Sequence, residues 1–327
     1  MSEQAEQQYQ EFRETFLKIR DEVSKRIVGQ KEIIEGVLIC LMTGGHALLE
    51  GVPGLGKTLL IRTLREVLDL GFSRIQFTPD LMPADIIGTN VVAEDEEGRK
   101  FFEFQQGPVF ANLILADEIN RATPKTQSAL LEAMQEKSVT VAGQHRALSL
   151  PFFVMATQNP LEMEGTYPLP EAQLDRFFFK LKVEYPNLEE LDLVMERTTK
   201  REVPSVQKVS DGAEINALEQ IVRDIIIAED VRRYALRIVL STHPDAEEAP
   251  EITRKYVRYG SSPRGAQSLI LGAKVKAILD GRYNVSREDI QAVALASLRH
   301  RLILSFEGEA EGIDPDGIIQ HLLEEIQ

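Results

Sequence analysis

The sequence predicts an α/β protein in which helices cover both faces of a parallel five-stranded sheet, followed by a smaller all-α domain. Five short and almost entirely apolar runs are separated by stretches long enough for helical crossovers, at 46–50, 73–78, 112–116, 152–157 and 178–183. Runs of this kind are typical of parallel strands that are buried on both faces of a sheet. After Pro186 the strand signal stops and only helical patterns follow.

Length and charge restrict the classes of protein that the chain can be. It has 327 residues, with 37 Lys and Arg against 52 Asp and Glu, which gives a formal net charge of −15. At about 100–200 residues per domain, this length predicts two domains. The negative surplus disfavours general binding to nucleic acid and to anionic membranes. Five histidines and one cysteine, without metal-binding spacing, disfavour a metal bound by nitrogen and sulfur ligands.

The cellular location is predicted from what the sequence lacks. Its apolar runs are shorter than the roughly 18 residues that cross a bilayer, so membrane insertion is not expected. The polar first 26 residues do not resemble a secretory signal. Cys40 has no second cysteine to pair with, which favours a reducing compartment. We therefore expect a cytoplasmic protein.

Two helices are predicted before the first strand. The first covers about 5–26, where apolar residues recur at steps of three and four, at Tyr9, Phe12, Phe16, Ile19 and Val23. Such a stripe fits packing on the helix's own domain and also fits docking to a partner. The second helix covers 31–43 and ends at the pair Gly44-Gly45.

The first strand leads into a glycine-rich segment, which reads Gly51, Val52, Pro53, Gly54, Leu55, Gly56, Lys57 and Thr58. It matches G-x-x-x-x-G-K-[ST] at every specified position and precedes a predicted helix over 57–68. In this arrangement backbone N–H groups and the helix dipole face the phosphates of a nucleotide. Lys57 supplies charge for the β- and γ-phosphates, and the Thr58 hydroxyl can bind Mg²⁺. We expect residues 51–59, Leu59 included, to contact this nucleotide.

Two further strands end in polar residues. The run at 112–116 is followed by Asp117 and Glu118, and in a parallel sheet this edge lies beside the glycine loop. Asp117 can then hold Mg²⁺ directly or through water, and Glu118 can deprotonate the attacking water. An acidic helix cap is the structural alternative. Asn159, after the run at 152–157, can contact a γ-phosphate or the water, although Asn before Pro is also typical of a turn.

Two interruptions of the strand–helix alternation are predicted to be β-hairpin inserts, over about 84–105 and 138–150. The second begins with Ser138–Val141, turns at Gly143-Gln144 and returns through Ala147–Leu150.

Helices are predicted beyond the last strand, over 187–200, 214–228, 229–243, 263–281 and 286–300. Residues suited to cap them are Asn187, Ser210 or Asp211, and Ser286, the last with Asp289 in a capping box. The predicted division is therefore a core over 1–186, a linker over 187–212 and a helical domain over 213–327.

Taken together, these motifs resemble the MoxR family of AAA+ ATPases, which are P-loop proteins. The resemblance spans about residues 25–305 and rests on separated motifs in the expected order. Besides the glycine loop, these motifs are Asp117-Glu118-Ile119-Asn120-Arg121-Ala122, Ala156-Thr157-Gln158-Asn159-Pro160, Glu171-Ala172-Gln173-Leu174-Asp175-Arg176-Phe177, Ser262-Pro263-Arg264, Asp280-Gly281-Arg282 and Leu298-Arg299-His300-Arg301-Leu302.

The resemblance implies roles that the residues alone do not give. It implies a homo-oligomeric ring, expected to be a hexamer, with ATP and Mg²⁺ as cofactors and a helical lid after the α/β core. Val28, Gly29 and Gln30 are implied on the adenine side of the nucleotide. Asn159 is implied as sensor 1, Arg176 as the arginine finger and Arg264 as sensor 2. The implied activity is chaperone-like work on a protein client, in this family often a von Willebrand A domain protein.

Several alternatives stay open on the sequence. Arg176 could pair with Asp175 or Glu171, and Arg264 could cap a helix or pair in cis. Arg121 is a second candidate for reaching across a subunit interface, whereas Arg299 and Arg301 fit pairing with acidic residues of the lid. For the whole protein, the alternatives are a nucleic-acid motor, which the charge disfavours, and a non-hydrolytic scaffold, which has no need of Glu118.

Overall fold

The structure is a computed structural model that describes residues 3–160, 166–200 and 204–326. Its strands are β1 (Ala47–Glu50), β2 (Phe72–Gln76), β3 (Gly88–Glu94), β4 (Lys100–Gln106), β5 (Leu113–Asp117), β6 (Ser138–Val141), β7 (Gln144–Ala147), β8 (Phe153–Gln158), β9 (Phe179–Lys182), β10 (Val257–Tyr259) and β11 (Ile303–Leu304). Its helices are α1 (Glu3–Ser24), α2 (Lys31–Met42), α3 (Lys57–Leu68), α4 (Pro83–Ile87), α5 (Pro124–Glu136), α6 (Glu171–Leu174), α7 (Leu188–Thr199), α8 (Gly212–Asp224), α9 (Glu229–Ser241), α10 (Glu251–Tyr256), α11 (Pro263–Leu279), α12 (Arg287–Leu298), α13 (Phe306–Ala310) and α14 (Pro315–Glu325).

The five apolar runs form one parallel sheet in the order β2-β5-β8-β1-β9, which confirms the predicted fold class. Alternate residues of a strand point to opposite faces. Along β5, Leu113 and Leu115 join a core cluster with α1, α2 and α3, and Ile114 and Ala116 join a second cluster with α4 and α5. Both faces of the sheet are therefore covered, and the core has three layers.

Local sequence signals account for several helix ends. The Asn187 side chain accepts from the Glu190 N–H at the start of α7, and Ser286 and Asp289 form a capping box on α12. Of the two candidates for α8, the cap is Asp211, whose carboxylate accepts from the second and third N–H groups of the helix.

Two antiparallel hairpins interrupt the α/β order, β3 with β4 and β6 with β7. The predicted return of the second one through Ala147–Leu150 is wrong, because Val141 pairs with Gln144 and the strand ends at Ala147. The turn is Ala142-Gly143, and both residues have positive φ. This is the backbone that a two-residue hairpin needs to match the twist of its strands.

The helical part of the chain differs from the prediction in its detail. A two-stranded pair, β10 with β11, lies among the helices, and α10, α13 and α14 were not predicted. The predicted linker over 187–212 contains α7, and its residues 201–203 lie outside the described part of the chain. The division at 186 and 213 stays a prediction. Among the described residues, none of the helices is long and apolar enough to span a membrane.

Candidate functional site

The carboxyl ends of β1, β5 and β8 meet at one edge of the sheet and open into a cavity of about 500 Å³. The sheet order explains this meeting, because β8 lies directly between β5 and β1. Nine of the predicted residues line the cavity, namely Pro53, Gly54, Gly56, Lys57, Thr58, Leu59, Asp117, Glu118 and Asn159. Ligand sites of parallel α/β proteins occupy this edge.

The glycine loop curls at Gly54 and Gly56, which have φ of 87° and 79° and line the cavity together with Pro53. A Cβ atom on either glycine would meet nothing within 4 Å, so the backbone there faces open space. Positive φ at both positions favours glycine. The loop therefore presents its backbone to the cavity, as a phosphate cradle requires.

The ammonium of Lys57 lies inside the loop, where it donates to the carbonyl oxygens of Gly51 and Val52. Burial lowers its pKa from the ordinary value, and the negative charges of Asp117 and Glu118 act in the opposite direction. The lysine is thus a half-buried cation at the start of α3, where the helix dipole adds positive potential.

Asp117 is held on both of its carboxylate oxygens. The Thr157 hydroxyl donates to Oδ1 at 2.7 Å, and Arg74 Nη2 donates to Oδ2 at 2.6 Å. Thr157 is on β8 and Arg74 on β2, so both neighbours of β5 in the sheet contribute to this contact. The carboxylate therefore has a fixed orientation toward the cavity.

Glu118 follows with a backbone in the left-handed region, at φ 56°. Its N–H donates to Thr157 Oγ1 at 2.8 Å, and its Oε2 accepts from Gln76 at 3.0 Å and from Arg121 at 2.9 Å. Left-handed backbone is uncommon for a non-glycine residue and often marks a functional site. Arg121, a candidate for reaching across an interface, is thus paired with Glu118 of its own chain.

Asn159 is buried at the end of β8 and lines the cavity beside Thr157. The segment implied on the adenine side, Val28, Gly29 and Gln30, lies outside the lining of this cavity. It is joined to the glycine loop by Gln30 Nε2, which donates to the Leu55 carbonyl at 2.9 Å. The described contacts therefore place this segment next to the loop.

Arg176 and Arg264 are not brought to the nucleotide cavity. Both line a second cavity of about 340 Å³ at the junction of the core with α11. Arg176 Nη1 donates to the Leu131 carbonyl at 2.7 Å, and its buried Nε has no hydrogen-bond partner among the residues that the structure describes. Arg264 approaches Asp175 at 3.5 Å and Gln135 at 3.3 Å. The two predicted arginines thus lie together at one site.

The other two arginines hold the core and the helical region together. The Arg301 guanidinium is buried, donates to Asp175 Oδ1 at 2.9 Å and also reaches the Phe177 carbonyl at 2.7 Å. Arg299 pairs with Asp316 at 2.9 Å. The expected pairing with an acidic lid residue therefore describes Arg299, whereas Arg301 binds an aspartate of the core. Burial lowers the pKa of Arg301, and Asp175 opposes that effect.

Four residues that line the cavity were not predicted, namely Arg74, Gln76, Thr157 and Arg62. The first two alternate with Ile75 on β2, and period-two alternation of that kind in the run 73–78 could have indicated a polar face. Which acidic residue each would meet depends on the register of β2 with β5, which local patterns do not give. Thr157 could have been found as the one hydroxyl in an apolar strand.

The donor set suits a magnesium nucleotide. The Thr58 hydroxyl and the Asp117 carboxylate are hard oxygen ligands of the kind that Mg²⁺ prefers, and both line the cavity with Lys57. Because the open face at Gly54 and Gly56 leaves room for phosphate oxygens beside the loop, the residues present fit both groups.

Two family models match the chain. The one described as the ATPase family associated with various cellular activities (AAA) covers residues 46–179, which contain four of the five sheet strands and the whole nucleotide cavity. The one described as an AAA lid domain covers residues 249–322. The fold and the site thus define an AAA-type ATPase domain followed by a lid domain.

Relatives identify the family. The chain is 43% identical to the chaperone MoxR1 of Mycobacterium tuberculosis over 93% of this chain and 80% of that protein. It is 42% identical to YeaC of Bacillus subtilis over 94% and 92% of the two chains. A crystal structure of a Cytophaga hutchinsonii protein superposes with a TM-score of 0.92 and 45% identity, over 99% and 98% of the chains. The chain belongs to the MoxR family of AAA+ ATPases, as its motifs predicted.

Proposed function

We propose that this chain hydrolyses Mg-ATP within a homo-oligomeric ring, expected to be a hexamer, and uses the nucleotide cycle to remodel a protein client. One observation carries the proposal. The glycine loop, the acidic pair and Asn159 come from three separate segments of the chain and converge on one cavity of about 500 Å³. A scaffold that only binds nucleotide has no need of a second carboxylate in addition to the metal-binding one.

The loop and the first carboxylate bind and orient the nucleotide. Backbone N–H groups at Gly54 and Gly56, the start of α3 and the Lys57 ammonium hold the phosphates. Thr58 and Asp117 hold Mg²⁺, which neutralises charge on the phosphate oxygens when it is bound. Thr157 keeps Asp117 in place through its hydroxyl, at 2.7 Å from Oδ1.

Glu118 is the general base of the proposal. Its carboxylate borders the cavity and is oriented by Gln76 and Arg121, at 3.0 and 2.9 Å. From this position it can accept the proton of the attacking water, while Asn159 holds that water or a γ-phosphate oxygen. Charge then develops on the phosphoryl oxygens and needs a further cation.

Arg176 and Arg264 would supply that charge to the cavity of the neighbouring subunit. Both arginines border the second cavity and lie outside the lining of their own nucleotide cavity, which favours action in trans for both. The buried Nε of Arg176 has no hydrogen-bond partner in the part of the chain that the structure describes, which supports a role beyond its bond to Leu131. An arginine that arrives from a neighbour makes hydrolysis depend on assembly.

The client and the domain roles follow from the family. MoxR1 of Mycobacterium tuberculosis is named a chaperone, which supports a protein client over nucleic acid for this chain, in agreement with its net charge of −15. We propose residues 1–186 as the ATPase core and 213–327 as the lid that carries Arg264. A von Willebrand A domain client and a cytoplasmic location stay predictions.

Replacing the general base tests the proposed function. Glu118→Gln is expected to bind ATP as tightly as the wild-type protein and to lose turnover about 100-fold or more, because an amide cannot accept the proton. The measurements are binding of a fluorescent ATP derivative and phosphate release under saturating Mg²⁺. Glu248→Gln, at an exposed position of the helical region, is the matched control. A Glu118→Gln variant with wild-type turnover would remove the assigned role.

A further inference from the structure

Arg74 is a cation of the nucleotide cavity to which the motifs give no role. It is on β2, an edge strand of the sheet, and its Nη2 donates both to Asp117 Oδ2 at 2.6 Å and to Gln76 Oε1 at 2.8 Å. In the register of the two strands, Gln76 is opposite Asp117. The pair of Arg74 with Asp117 is thus built into the sheet edge where the proposed metal ligand lies.

The two oxygens of Asp117 differ in how readily they can be released. Oδ1 accepts from Thr157, which is 1% exposed and belongs to β8 in the middle of the sheet. Oδ2 accepts from Arg74, whose side chain is 43% exposed. A buried hydroxyl on a central strand is fixed, whereas a long, half-solvated side chain on an edge strand can change rotamer at low cost. Oδ2 is therefore the exchangeable oxygen.

Besides Arg74, the cations at or next to this cavity are Lys57, Arg62 and Arg121, and two of them are engaged elsewhere. Lys57 donates to two carbonyl oxygens of the glycine loop, and Arg121 donates to Glu118. Among the residues that the structure describes, Arg74 is the cation that forms an ion pair with the carboxylate that would bind the metal. Removing its charge would leave Asp117 its bond to Thr157 and would free Oδ2.

We propose that Arg74 is a resident counter-ion of Asp117 that competes with the divalent metal ion of a bound nucleotide and so lowers the affinity of the site for that ion. The inference rests on the proposed function, because the metal would enter with the nucleotide. A guanidinium in hydrogen-bond contact with Oδ2 occupies an oxygen that a metal ion would use, and its charge would repel that ion. After hydrolysis, Arg74 would return to Asp117 and favour loss of the metal with the product.

Competition predicts a change in the coupling between metal and nucleotide. For each variant, the dissociation constant of a fluorescent ADP derivative is measured in excess EDTA and in excess Mg²⁺. The value in EDTA divided by the value in Mg²⁺ is the coupling ratio. Arg74→Gln keeps hydrogen-bonding groups without the charge. It is expected to raise this ratio about 10-fold, the scale of a partly solvated charge interaction. Arg74→Lys, which keeps a positive charge, is expected to stay near wild type.

The controls separate this effect from a general loss of structure. Arg65→Gln removes an exposed arginine of α3 outside the cavity and is expected to leave the ratio unchanged. Unfolding temperatures show whether each variant is folded. If Arg74→Gln leaves the ratio unchanged or lowers it, or if Arg74→Lys behaves like Arg74→Gln, competition by charge is overturned while wild-type binding still supports the proposed function. A wild-type protein that binds the ADP derivative in neither buffer would overturn both.

Discussion

At the scale of single residues, one hydroxyl connects the two acidic residues that the site depends on. Thr157 Oγ1 donates to Asp117 Oδ1 at 2.7 Å and accepts the Glu118 N–H at 2.8 Å. The threonine is buried, so neither bond can be replaced by water without a change of packing. The left-handed backbone of Glu118 is thus held by a side chain of the adjacent strand β8, and not by its own segment alone.

Removing this hydroxyl should affect stability and turnover together. Thr157→Val keeps the shape of the side chain but leaves the Glu118 N–H unpaired, at an expected cost of about 1–3 kcal/mol in the free energy of unfolding. Turnover should fall about 10- to 100-fold, because small displacements of catalytic groups are costly. Urea unfolding and phosphate release measure the two effects. Thr157→Ser keeps the hydroxyl and should recover most of the turnover. Equal turnover in Thr157→Val and wild type would contradict the connecting role.

The site residues that can be predicted from the sequence differ in one respect from those that cannot. Asp117 and Glu118 lie at the end of β5, and Lys57 and Thr58 follow β1 across the glycine loop, so a strand assignment is enough to bring them to the same edge. Arg74 contacts the site only through the register of β2 with β5, and register is a property of pairing between distant segments. Arg74 and Gln76 were therefore missed because their contacts with the acidic pair depend on a neighbouring strand.

At the scale of elements, a buried histidine joins three parts of the core. His46, directly before β1, accepts the Val154 N–H of β8 on Nδ1 at 3.1 Å, and its Nε2 lies 3.2 Å from the Met134 carbonyl of α5. Because Nδ1 accepts, the proton of the neutral ring is on Nε2, which donates to the carbonyl. Burial, with a smaller contribution from Lys137, lowers the pKa of His46 to about 4.

This histidine should make stability depend on pH. Its pKa is lower in the folded chain than the ordinary value near 6.5, so the unfolded chain takes up a proton first as the pH falls. The stabilisation is complete above pH 6.5 and is lost between pH 6.5 and about 4. Between pH 7 and 5 the loss is about 2 kcal/mol, at about 1.4 kcal/mol per pKa unit.

Urea unfolding of variants at pH 7 and pH 5 isolates this contribution. His46→Gln should lose about 2 kcal/mol less than wild type over this interval. His321→Gln, which replaces a half-exposed histidine of α14, is the matched control. The difference between the two pH values is compared, so a constant cost of the substitution cancels. An equal loss in His46→Gln and wild type would show that another group titrates.

Helices and strands were predicted well where the pattern of a single continuous segment is enough to identify them. The helix over 57–68 agrees with α3 at both ends, and the five apolar runs give the five sheet strands within two residues. The return strand of the second hairpin failed because its apolar residues, Ala147 to Leu150, suggested pairing that the Ala142-Gly143 turn excludes. The pair β10–β11 joins segments more than 40 residues apart, and three and two residues give no detectable period.

At the scale of the whole molecule, Asp175 connects the core with the lid. Its carboxylate accepts from Arg301 at 2.9 Å and from the Ser262 hydroxyl at 2.8 Å, and it lies 3.5 Å from Arg264. The neighbouring residue in the chain is Arg176. The two arginines proposed to act on another subunit therefore lie at one junction between the core and the lid, which Asp175 and Arg301 hold together.

If Arg176 acts in trans, two inactive variants should form an active mixture. Arg176→Ala keeps its own nucleotide cavity but offers no arginine, and Lys57→Ala offers the arginine but has a damaged cavity. In a ring with head-to-tail contacts, equal mixing gives about a quarter of the interfaces an intact cavity facing an intact arginine. Phosphate release should therefore rise from background to about a quarter of the wild-type rate, because only these interfaces hold a complete site.

Nucleotide binding and concentration dependence complete this test. Arg176→Ala alone should bind a fluorescent ATP derivative with nearly wild-type affinity, because Arg176 does not line the nucleotide cavity. Arg237→Ala, at an exposed position of α9, is the matched control and should hydrolyse ATP at the wild-type rate. Wild-type turnover per subunit should fall on dilution as interfaces are lost. Turnover that is independent of concentration, or a mixture that stays inactive, would mean that each subunit carries a complete site and that the arginine near Asp175 has a structural role only.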